Sequence, residues 1–207
     1  MRTKPDLLEQ FGFDRESLAK LSKKKQLAFA LLLLGRMLPL LLSFSKRTGF
    51  DVSHYLSGKT ALWSALLEGD PNVDANWSSL RRMCLKGAPD TEKYVGELAS
   101  HALNATLMTA SILNFAEKRR LEDIAEAVGW ARDSIDLHIQ SLENSAVSSS
   151  DLSTSISHPL MKAEFERQNR DIEFLLNLPE IITGSRASKL LSRAESQSPL
   201  IPIADLS

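Results

Sequence analysis

The sequence predicts an all-α protein: a single-domain multi-helix bundle around one kinked, buried central helix. Three observations predict it. The stretch from Gln26 to Phe50, QLAFALLLLGRMLPLLLSFSKRTGF, is the densest apolar run in the 207 residues. It is apolar almost all round, the pattern of a helix enclosed by other helices or of a membrane span. Leu, Ala and Ser dominate the composition, while aromatic residues reach only 6% and there are 9 glycines and 8 prolines, which favours helices over a β-rich chain. Outside the central run, apolar residues recur at helical spacing between recognisable caps. A hydrophobic content of 43% is ample for one core at this length. The helical domain is expected over residues 1–178, with 179–207 as a weakly and only partly ordered C-terminal tail.

Taken in order, residues 1–13 read as a loose lead-in. Asp14 can cap a short helix through Leu21, with Leu18 and Leu21 on one face. Ser22 is the expected N-cap of the central helix, Lys46 and Arg47 suit its negative end, and Gly49 suits the position just beyond it. Pro39 should kink this helix, because it lacks an N–H and crowds the carbonyl of Gly35. The missing side chain at Gly35 eases the bend, so one kinked helix is expected rather than two.

A lipid-spanning role was weighed against a core role. From Leu27 to Ser45 there are nine leucines and two phenylalanines, each favouring insertion by about 0.5 kcal/mol, against about 2.5–3.5 kcal/mol for a central arginine. Gly35, Pro39, Ser43 and Ser45 reduce the gain further, and a core helix is the expectation. Arg36 then needs a partner at depth. A structural ion pair with a carboxylate of a neighbouring helix is favoured over a ligand-binding guanidinium. Arg36 remains the candidate ligand-binding residue; no catalytic, metal or cofactor-binding residue is assigned.

Here a resemblance enters. Gln26, Ala28, Phe29, Arg36, Pro39, Phe44, Thr48, Gly49 and Phe50 fit the N-terminal signature of domain-of-unknown-function family 416, small bacterial proteins. The sequence departs from it at Gly35, where the family has an acidic residue, and at Leu40-Leu41, where it has Asn-Tyr. HPLMKAEFERQNRDIEFLL, from His158 to Leu176, is similar to the family's C-terminal signature, and Ser134-Ile135-Asp136 fits a shorter run. The likeness covers about residues 22–178 and implies an all-helical bundle of unassigned activity.

The remaining helices follow from spacing. A helix opening at Asp51 or Ser53 carries Val52, Tyr55, Leu56, Leu62, Trp63, Leu66 and Leu67 on a stripe and ends at Gly69-Asp70-Pro71. Val73, Trp77, Leu80 and Cys84 mark an amphipathic helix over 74–86. A long helix over 91–118 presents Ala99, Ala102, Ala105, Thr109, Ala110 and Ala116, small enough for close approach to the central helix. Residues 121–143 form another helix. A serine-rich connection, seven serines in residues 145–158, reads as a loop. Pro159 starts a helix with Leu160, Phe165, Ile172, Leu175 and Leu176 on its buried stripe. Ser185 to Ala194 is a short helix within the tail. No internal repeat is visible.

Candidate chemistry is sparse. Glu97 and His101, one turn apart, suggest a metal or acid–base pair, but a surface i, i+4 contact is favoured. Glu164, Glu166, Asp171 and Glu173 alternate with Arg167 and Arg170, the pattern of a salt-bridged exposed face. One of these acids, or Asp136, is the expected partner of Arg36. Residues 121–143 place Ile124, Ala125, Val128, Gly129 and Ile135 where a helix-turn-helix would. Yet Leu121 to Glu143 carries six acids and one Lys or Arg, which opposes phosphate binding, so one continuous helix is expected. Cys84 sits on an apolar stripe and reads as a core thiol. A single cysteine allows no internal disulfide.

The net charge is −1 overall, with ten Lys/Arg against four Asp/Glu in residues 1–47. The basic bias is taken as a solvated face. With no secretory signal visible, a cytoplasmic location is expected. The leading functional expectation is a non-enzymatic protein that works through protein contacts, with itself as a homodimer or with another chain, and without nucleic acid or membrane. The alternatives are a small-molecule- or metal-binding enzyme with a pocket near Arg36, and a helix-turn-helix DNA-binding regulator using residues 121–143.

Overall fold

The computed structural model describes residues 12–68, 76–94, 96–144, 157–180, 185–196 and 198–203. Among these there are eight α-helices and no strand: α1 (Arg15–Lys20), α2 (Lys23–Thr48), α3 (Ser53–Glu68), α4 (Trp77–Lys86), α5 (Glu97–Lys118), α6 (Leu121–Asn144), α7 (Pro159–Leu176) and α8 (Ser185–Ser196). The lead-in over 1–11, the Gly69-Asp70-Pro71 stop, Val73 and the serine-rich stretch up to Ile156 lie outside the described residues.

The caps act as their chemistry dictates. Asp14 accepts from the Ser17 N–H at 2.8 Å and opens α1. Ser22 accepts from the Lys25 N–H and opens α2. Gly49 closes α2 in the left-handed region at φ 72°, which glycine adopts without a Cβ penalty. His158 caps α7 through Nδ1, accepting from the Leu160 N–H, with Pro159 at the first position. Two boundaries fall later than the spacing predicts. Asn76 caps α4, which begins at Trp77 rather than at 74. Residues 91–94 form a turn closed by the Asp90 carbonyl, which accepts from the Lys93 and Tyr94 N–H groups. Gly96, at φ 118°, then redirects the chain, and α5 starts at Glu97 rather than at 91.

α2 is the hub, in contact with α3, α5, α6, α7 and α8. It is long and apolar enough to cross a membrane, yet 78% of its most apolar stretch is buried inside the protein. Its most extensive partner is α5, whose small residues Ala99, Ala102, Ala105 and Ala116 are buried. The hydroxyls of Thr106 and Thr109 donate to the carbonyls one turn back, Ala102 and Ala105, and enter the core satisfied.

Pro39 lies inside an unbroken α2, as the one-kinked-helix expectation requires. One residue past the carbonyl that Pro39 leaves without a donor, the Arg36 carbonyl accepts from the Leu200 N–H at 2.9 Å. A Cβ on Gly35 would stand 3.0 Å from the Ala194 carbonyl oxygen, so any side chain there would push α8 away by a few tenths of an ångström. The described part of the C-terminal segment packs on the rest of the protein. Leu190, Ala194, Leu200 and Ile201 are buried, and the Ser198 carbonyl accepts from Arg167.

Candidate functional site

Arg36 lies at the centre of a buried ion cluster between α2, α7 and α8. Its Nη1 meets Asp171 Oδ2 at 2.6 Å and its Nη2 meets Glu164 Oε1 at 3.0 Å. All three side chains are enclosed, at 0%, 0% and 2% exposure. The second oxygen of Asp171 accepts from Arg193 Nε and Nη2 at 2.9 and 2.7 Å, and Arg193 lies over the Phe174 ring. Gln168 Nε2 donates to Glu164 at 3.0 Å. The partners expected for Arg36 are thus present, but their helix is not the exposed face that the charge pattern suggested. Glu164, Gln168 and Asp171 share the buried stripe with Met161, Phe165, Ile172 and Leu175. Glu166 and Arg170 are exposed on another side, Leu160 is half-buried and Leu176 is exposed, so the stripe is shifted from the predicted one.

Beside Gly35 and Pro39 lies a groove of about 520 Å³. On α2 it is lined by Leu31, Gly35, Leu38, Pro39 and Leu42, and on α3 by Leu56, Lys59, Thr60, Trp63, Ser64 and Leu67. Leu191 and Ala194 of α8 form its third side. Both stripes span twelve residues, eleven steps of 1.5 Å or about 16 Å. Leu42 and Leu56, at its edge, are 41% and 39% exposed. Among the described residues, Lys59 is its one charged lining residue. Arg36 does not line it: the candidate ligand-binding guanidinium is committed to Asp171 and Glu164 instead. Trp63, expected as a core anchor, is buried and lines the groove as well.

A third cluster joins α5 to α6. Glu97 Oε1 meets His101 Nε2 at 2.9 Å and His138 Nδ1 at 2.7 Å. A surface contact was expected for Glu97 and His101. Both rings are instead buried, at 0% and 2% side-chain exposure, and Glu97 is 10% exposed. His138 is 41 residues away from Glu97 in the chain, and no local sequence signal announces it. An ionised carboxylate only accepts, so both ring nitrogens that reach it are donors. Burial pushes the Glu97 pKa up, but bonds from His101, Ser141 and His138 more than offset this and hold it below the ordinary value. Burial pushes the His101 pKa down. Nδ1 of His101 is buried without a hydrogen-bond partner.

The other candidates resolve simply. Cys84 is fully buried, and its thiol lies 3.7 Å from the His54 carbonyl. α6 runs unbroken through Gly129, so the turn of a helix-turn-helix is absent from residues 121–143. Asp136 accepts from Gln140 at 2.9 Å.

Comparison with known proteins agrees with this architecture. A crystal structure of a DUF416 family protein from Shewanella baltica OS155 superposes with a TM-score of 0.74, covering 87% of this chain and 92% of that one at 22% sequence identity. That likeness concerns the fold. No curated protein matches the sequence. The family model described as "Protein of unknown function (DUF416)" matches residues 14–188. With most of its length matched, the chain belongs to the DUF416 family, whose function is unknown.

Proposed function

We propose that this protein is a non-enzymatic binding module that docks an amphipathic helix of a partner protein in the groove between α2, α3 and α8. The groove itself is the observation that carries this reading. Its two main walls are parallel-length apolar stripes of about three turns each. A recognition groove for a helix has this form, an apolar trough that takes side chains at i, i+3, i+4 and i+7. Leucines and Trp63 make most of its lining, with Lys59, Thr60 and Ser64 as polar side chains on α3. Lys59 lines it, and Lys46, exposed one turn beyond Leu42, stands nearby without an acidic lining residue to balance either. An acidic flank on the partner helix complements that charge. A second copy of the chain is one such partner. The reading places this work in the cytoplasm, where a buried, unpaired thiol such as Cys84 is at home.

Photo-crosslinking in the native cell tests it. With Thr60→p-benzoyl-phenylalanine in the groove, a discrete protein adduct is expected, and Leu56→Glu or Lys59→Glu should abolish it. A crosslink to the chain itself identifies the partner as a second copy. An adduct that persists unchanged in both charge variants, or a groove that captures only a lipid, contradicts the proposal.

A further inference from the structure

Glu97, His101 and His138 bring three metal-ligating atoms within 4.8 Å of one another. We propose that they bind one divalent transition-metal ion, with zinc the best fit, at the junction of α5 and α6. This site is separate from the apolar groove and does not depend on it.

The donor set selects the class of ion. Two imidazole nitrogens and one carboxylate oxygen suit zinc and its neighbours, whereas magnesium and calcium prefer oxygen alone. Two of the three ligand separations are close to what zinc needs, and the third, between the two ring nitrogens, lies within 4.8 Å and adjusts as the rings turn toward the ion. Bonds of about 2.0–2.1 Å in a tetrahedron place ligand atoms about 3.3 Å apart. The observed separations of 2.9 and 2.7 Å from Glu97 to the two rings require an opening of about half an ångström. The ion takes the place of the two ring protons that now point at the carboxylate. Each ring keeps one proton, moved to its other nitrogen. Nδ1 of His101 has no hydrogen-bond partner in the structure, so it is an unpaired acceptor without the ion and an unpaired donor with it; the cost is present on both sides.

Charge supplies the reason for an ion. Glu97 is a largely buried carboxylate whose ion-pair partners, among the described residues, are the two histidines. A divalent ion neutralises the carboxylate and ties the first turn of α5 to α6. These two helices make the most extensive packing in the molecule. Three protein ligands leave one coordination position for water.

The test uses the full-length protein, stripped with a chelator and equilibrated with zinc or cobalt(II). The wild type should retain close to one zinc per chain after dialysis, and Glu97→Gln/His138→Gln less than a tenth of that. Cobalt should give the visible absorption of a four-coordinate site. Where the double variant fails to fold, imidazole nitrogen NMR of the wild type decides, because the chain has only four histidines. Zinc should shift His101 and His138 and leave His54 and His158 in place. Retention of no zinc by the wild type, equal retention by a folded double variant, or shifts confined to His54 and His158 would overturn the assignment.

Discussion

Cys84 shows what enclosure does to a single residue. Burial pushes its thiol pKa up to about 11 from 9.0. Beside it, burial pushes Tyr55 up to about 12 from 10.0, and its hydroxyl reaches the Cys84 and Gly87 carbonyls at 3.1 and 2.6 Å. Both groups are neutral when folded and ionise more readily when unfolded. The stability they contribute is complete below pH 9.0, then falls as pH rises through about 11 and 12. The urea midpoint should therefore hold level from pH 7 to about 9 and decline above it, less steeply in Cys84→Ala. A midpoint unchanged up to pH 11 would contradict this. The core thiol was legible from its place on an apolar stripe. The buried acids of α7 were not, because charge composition ignores phase. Glu164, Gln168, Asp171 and Leu175 are spaced by four, three and four, which sets them on one face. Counting Glu166 and Arg170 with them hid that spacing. Glu97 and His138 meet only through the packing of two helices, so the sequence held no sign of the pair.

At the scale of the element, Gly129 distinguishes a continuous helix from a turn. Nothing lies within 4 Å of a Cβ built there, and its backbone is helical. Gly129→Ala should raise stability by about 0.5–1 kcal/mol, the helix-propensity difference. A loss of stability, measured by urea unfolding, would indicate a strained turn at this position. Gly35 carries the opposite expectation. Gly35→Leu drives a side chain into the Ala194 carbonyl and should unseat α8 from α2. Faster proteolytic cleavage between α7 and α8, with the rest of the chain protected, is the expected result; an unchanged cleavage pattern would show that α8 does not depend on this approach. Caps and periodicity made most helices legible, since serine, aspartate, proline and glycine act locally. The late start of α5 was hidden because Asp90 closes a turn that propensity alone reads as helix. The seating of α8 was hidden because its partner is a glycine, which offers no pattern of its own.

Across the whole molecule, one charged residue stands inside the most apolar helix, and the fold is arranged to answer it. α7 supplies Glu164 and Asp171, α8 supplies Arg193 to the far side of Asp171, and the chain's last described turn bonds the Arg36 carbonyl. Sequence reasoning reached the enclosure and the need for a carboxylate. It could not reach the second arginine, whose role depends on where α8 docks. The same docking forms the third wall of the apolar groove, so groove and ion cluster share one structural cause.

A double-mutant cycle on Arg36→Met and Asp171→Ala, followed by urea unfolding, tests this most directly. Each single variant breaks the buried pair, leaving Asp171 with Arg193 alone or Arg36 with Glu164 alone, and should lose up to about 3–5 kcal/mol. The double variant should lose at least about 1 kcal/mol less than the two single losses combined. Losses that add to within about 0.5 kcal/mol would contradict the account, since Arg36 and Asp171 would then not neutralise one another inside the protein.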